Sequence, residues 1–222
     1  MIIQLPIISE ATWQLLIKAN EDAVRNGWAQ PGIFATGVGP EYKPGELGSL
    51  LYVGKSAGPL SDNVGSNLDQ SESTQASTRW MIQLKNKSAF WQFVDQIDRT
   101  RRSIAWTNLC KMDRKGGKTP PSPRQWAQVH MPCIAALEEE IVALKPKVTV
   151  FATSGLYGDD VWKLLTRLSY QYIPSPLNDK WTRFAQSSGG QFVILTKHPQ
   201  GWLNSERGRV IERLRALLRG SA

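Results

Sequence analysis

Three short segments carry groups that can do chemistry: Gly54-Lys55-Ser56-Ala57-Gly58-Pro59, Asn108-Leu109-Cys110 and His198-Pro199-Gln200-Gly201-Trp202-Leu203. Glycines let backbone amides approach a ligand closely, and the first segment follows an apolar run, Leu50 to Val53, that ends in such a loop. The Asn108 amide can both donate and accept, and an imidazole such as His198 can stabilise negative charge as it develops. Lys111, Arg114, Lys115 and Lys118 follow Asn108 on a glycine-containing stretch, read as a basic loop that tracks a phosphate chain or closes as a lid. Cys110 and Cys133 are the only cysteines and lie far apart in sequence. They support neither a disulfide framework nor a thiolate metal centre, so both are expected to be small buried hydrophobes, and no metal or cofactor is expected.

These segments need elements that bring them together. Ser9 caps a helix over roughly 10 to 27, and residues 49 to 54 form a buried strand. The polar stretch Ser61 to Thr78 reads as a mobile loop, and helical spacing runs from Trp80 to Ile97 with a break near Asn86 to Ser88. Ser103 to Leu109 is a second strand. Ser122 and Pro123 then open a helix to about Leu144, followed by the clearest strand, Val148 to Thr153. A helix over about 159 to 168, strands at Trp181 to Ala185 and Gln191 to Thr196, and a final helix from Asn204 or Ser205 complete the chain. Strands alternating with helices imply an α/β fold, a three-layer α/β/α sandwich with a mostly parallel central sheet. The three chemical segments then leave the carboxyl ends of strands and can meet in one crevice.

With 222 residues and no linker rich in Pro, Gly or Ser dividing it, the chain reads as one domain, 1–222. Apolar residues at 41% and charged residues at 21% suit a soluble protein. No apolar run approaches the roughly 18 residues that span a bilayer, and no leader pattern opens the chain, so no membrane partner and a cytoplasmic location are expected. The formal net charge of +8 favours a polyanionic partner.

In this order the segments resemble the motifs of the uracil-DNA glycosylase superfamily. Gly54 to Pro59 stands where the single-strand-selective and mismatch-specific branches have Gly-x-Asn-Pro-Gly. Asn108-Leu109-Cys110 resembles the Asn-Leu-Cys of the former branch, and His198-Pro199 resembles the His-Pro-Ser motif. Leu137 to Val148 is similar to the helix and strand before the final motif, and the resemblance covers roughly residues 30 to 215. It implies a uracil-DNA glycosylase-like fold that binds nucleic acid, DNA and single-stranded DNA included, flips a base and cleaves the N-glycosidic bond of a deaminated one.

By the same resemblance Asn108 pairs with the base and His198 faces its oxyanion. Gly54, Lys55, Gly58 and Pro59 line the site, and Trp202 and Leu203 form the wedge that fills the flipped base's place; from their charge rather than from the resemblance, Lys111 and Lys115 are expected to contact the backbone. Ser56, with Lys55, holds the place where the family has a water-positioning Asp, Asn or Glu. The stacking aromatic expected soon after the first motif is not found in Ser61 to Thr78, which contains no Phe, Tyr or Trp. Two other readings stand beside this one. The first is a catalytically inactive nucleic-acid- or nucleotide-binding protein on the same fold. The second is a GIY-YIG-type nuclease, suggested by Gly32-Ile33-Phe34 and Tyr52-Val53-Gly54.

Overall fold

Ser9 opens the first helix, its hydroxyl accepting from the Thr12 N–H, and α1 (Glu10–Arg25) buries Trp13, Leu16, Ala19 and Ala23 along one stripe. The computed structural model describes residues 6–56, 69–83, 88–116, 120–174 and 182–220. After α1 come β1 (Ala29–Ile33), β2 (Gly37–Val38), β3 (Leu50–Ser56), α2 (Gln70–Gln83) and α3 (Ala89–Asp95). Next are β4 (Ile104–Cys110), β5 (Met112–Arg114), α4 (Pro123–Leu144), β6 (Val148–Phe151) and α5 (Gly158–Arg167). The chain ends with β7 (Tyr170–Ile173), β8 (Arg183–Ser187), β9 (Phe192–Leu195), a 3-10 turn at Pro199–Gly201 and α6 (Asn204–Arg219).

Seven strands form the central sheet in the order β2-β4-β3-β6-β9-β8-β7. Its four middle strands, β4, β3, β6 and β9, run parallel, while β2, β8 and β7 add antiparallel edges. Alternation along the strands divides the core in two. Leu51, Val53, Ala105 and Phe151 face α1, α4 and α5. Leu50, Tyr52, Ile104, Trp106, Val148 and Val150 face α2, α3 and α6. Helices thus cover both faces of a mixed sheet with a parallel centre. Both cysteines are buried and free, in keeping with their reading as small hydrophobes.

Two expected loops are corrected. Within Ser61 to Thr78, residues from Gln70 onward belong to α2; its buried face is made of Gln70, Ser73, Thr74 and Ser77 with Met81. Small residues let α2 lie close on β2: a Cβ on Gly37 would stand 3.0 Å from the Ser77 carbonyl group. The stretch after Asn108 is no continuous basic loop, because Met112–Arg114 pairs antiparallel with β1. Trp181, Lys118, Gly58 and Pro59 lie outside the described residues. Elsewhere Ser122 caps α4 as read, with Pro123 in the first turn, and Gln125 completes a reciprocal capping box; Ser88 caps α3.

Candidate functional site

The chain runs from β3 to β4 on one side of the sheet and then crosses back to β6 on the other. The crevice of an open α/β sheet forms at such a reversal, beyond the carboxyl ends of the strands. Gly54 and Asn108 are paired neighbours in the parallel β3–β4 register and share the face that α3 covers. The contact is close enough to exclude any side chain at position 54. A Cβ there would stand 2.3 Å from Asn108 Oδ1 and 3.3 Å from the Phe90 ring. Asn108 Nδ2 is buried and has no hydrogen-bond partner among the described residues.

Phe90, at the start of α3, is the hub of the site. Its ring is half-buried and lies 5.9 Å from the His198 ring at 24°, 4.5 Å from Tyr52 and 6.4 Å from Trp106. The Tyr52 hydroxyl and Trp106 Nε1 are, like Asn108 Nδ2, buried polar atoms without a partner among the described residues. Burial pushes the Tyr52 phenol well above its usual value, so it remains a neutral O–H. An aromatic nest fringed by unmet hydrogen-bonding groups suits a planar ligand with polar edges.

His198 arrives from the other side of the reversal. Thr196 N–H donates to Phe151 O, Ser154 N–H to Thr196 O, and His198 N–H to the Ser154 hydroxyl at 2.7 Å. Ser154 takes a left-handed backbone (φ 57°), so the turn after β6 is held to the turn after β9. The Gln200 N–H points at His198 Nδ1 at 3.4 Å, which leaves the ring proton on Nε2 when the imidazole is neutral. Burial, and then the charge of Lys55, lower its pKa from 6.5 to about 4. At neutral pH His198 is therefore an uncharged donor.

The remaining candidates divide. Lys55 and Ser56 sit half-buried at the end of β3, and Lys55 forms no ion pair among the described residues. Lys115 is exposed after β5. Lys111 is corrected: its side chain is 0% exposed and its Nζ meets both Glu140 oxygens, at 2.7 and 2.6 Å, and the Thr107 hydroxyl. It ties β4 to α4 and cannot reach a phosphate. Trp202 packs edge-on against Phe93 at 5.1 Å, which is core packing, whereas Leu203 is 68% exposed before α6.

Sequence reasoning missed Phe90, which was absorbed into the apolar stripe of 80 to 97. One signal was present: Phe90, Trp91, Phe93 and Val94 crowd a seven-residue helix on more than one face, more than a single core stripe accommodates. Among the described residues no cluster of His, Cys, Asp and Glu could hold a metal, and no helix is long and apolar enough to cross a membrane. Comparison of the sequence with family models and with curated proteins gives no match.

Proposed function

We propose that the crevice receives a nucleobase turned out of a nucleic acid strand, in the manner of the uracil-DNA glycosylase superfamily, and weakens its N-glycosidic bond. The observation that carries this reading is the convergence on Phe90 of unpartnered Asn108 Nδ2 and neutral His198. A base stacked on Phe90 presents its edge to Asn108. The His198 Nε2–H donates to the oxygen where negative charge gathers as the base departs. A neutral donor suits this task because no cation need be desolvated in the buried site. Gly54 keeps the floor open, and Leu203 fills the place the base vacates.

The second reading, binding without hydrolysis, is favoured by one observation: Lys55 and Ser56 occupy the end of β3, and neither is the Asp, Asn or Glu that positions water in the family. One experiment separates the two. Single- and double-stranded oligonucleotides containing uracil, hypoxanthine or xanthine are incubated with the protein and treated with alkali. Strand scission identifies base excision, and His198→Ala is expected to slow it roughly 10²–10³-fold. Binding that weakens steeply with salt, without scission of any substrate, leaves the binding reading; no binding and no scission overturns both.

A further inference from the structure

We propose that Lys55 is an amine nucleophile, and that the crevice processes abasic sites through an imine between Lys55 Nζ and C1′ of the opened sugar. The proposal rests on the reading that this crevice takes nucleic acid. Its own ground is the placement of Lys55. The register pairs Gly54 with Asn108 and Ser56 with Cys110, so Lys55 lies between them in sequence, half-buried at the carboxyl end of β3. Its charge is felt at His198, across the reversal of the sheet.

Other lysines beside the crevice are occupied. Lys111 is held by Glu140, and Lys197 lies 3.6 Å from Glu206. Lys55 has no carboxylate partner among the described residues. Lysine amines form Schiff bases with carbonyl groups once they have lost their proton, which partial withdrawal from water and the lack of a paired carboxylate both favour.

The chemistry closes without any external oxidant or reductant. The ammonium gives its proton to water, and the amine adds to the C1′ aldehyde, whose oxygen the His198 Nε2–H polarises. Loss of one water leaves the C1′=N imine. A C2′ proton then passes to solvent, the electron pair forms the C2′=C3′ double bond, and the C3′–O bond breaks with departure of the 3′ phosphate. Hydrolysis of the imine restores Lys55. In this scheme the lysine at the end of β3 is the reacting group, and the site needs no water-positioning carboxylate at that place.

A single-stranded oligonucleotide with a preformed abasic site is mixed with the full chain and sodium borohydride, which reduces any imine to a stable amine. The expected product is a covalent complex lacking one water and gaining two hydrogens relative to its parts, with the adduct on Lys55 by peptide mass mapping. Lys55→Ala and Lys55→Arg lose the complex, while Lys55→Arg still binds an oligonucleotide carrying a tetrahydrofuran abasic analogue. Retained binding of the analogue with no trapped complex, or an adduct on another lysine, overturns the proposal and leaves the crevice reading intact. No binding of the analogue overturns both.

Discussion

At the residue scale the site turns on two small choices, a missing side chain and an uncharged ring. Gly54→Ala places a methyl group 2.3 Å from Asn108 Oδ1, so the amide must rotate away. The expected cost is about 1–3 kcal/mol of stability, with loss of nucleic acid binding or excision. Denaturant unfolding and a binding assay on the same variant check this, and wild-type binding would detach Gly54 from the site. His198 titrates near 4 when folded against 6.5 when unfolded, so between those values the unfolded chain holds the extra proton. Its contribution to stability is therefore complete above about pH 6.5 and falls as pH drops towards 4, and donation from its neutral form fails over the lower part of the same window. Imidazole NMR can follow it directly, since His130 is the only other histidine. Lys55→Ala is expected to raise the His198 value while leaving it below 6.5, because burial is the larger cause. A value unchanged by that substitution would place Lys55 elsewhere.

At the element scale the critical tie is between β4, which carries Asn108, and α4. Glu140→Ala leaves the Lys111 ammonium buried without its carboxylate, and a loss of about 3–5 kcal/mol is expected. The double change Lys111→Met with Glu140→Leu is expected to recover most of it. Thermal and denaturant melts decide, and a mild effect of Glu140→Ala alone would mean that water reaches the pair. This tie also shows where the sequence is legible. Elements with strong periodicity or chemical caps, such as α4 behind Ser122-Pro123 and the apolar run of β6, are readable because local and tertiary preferences agree. The face of α2 is not, since Gln70, Ser73, Thr74 and Ser77 repeat with helical spacing but carry no hydrophobic contrast. β1 holds Pro31 and Gly32, and β2 has two residues, so both are strands only through their partners. Lys111 looked like part of a basic loop, yet just past the end of β4 its side chain turns inward to Glu140 and Thr107. Glu140, inside an otherwise apolar stripe of α4, was the visible sign that a buried cation must meet it.

Across the whole molecule the candidate groups reach one place because β4, β3, β6 and β9 are consecutive parallel neighbours whose carboxyl ends open the same way. Gly54, Asn108 and His198 stood out because they lie at or just beyond the carboxyl ends of strands in a recognisable order; Phe90 did not, because it enters from a covering helix. The net charge of +8 belongs to this scale as well. Affinity for single-stranded nucleic acid is expected to fall linearly in log–log form with salt, by about 0.7 per phosphate neutralised. A flat salt response in a fluorescence anisotropy titration would argue against any polyanion on this surface. The aromatic nest has one more consequence, an optical one. Trp106 lies 5.0 Å from both Trp80 and Trp91, close enough for the three indoles to share their excited states, and Phe90 is wedged between that group and His198. Any occupant that displaces the Phe90 ring disturbs this coupled chromophore, so near-ultraviolet circular dichroism of the unlabelled protein serves as its own reporter of an occupied crevice.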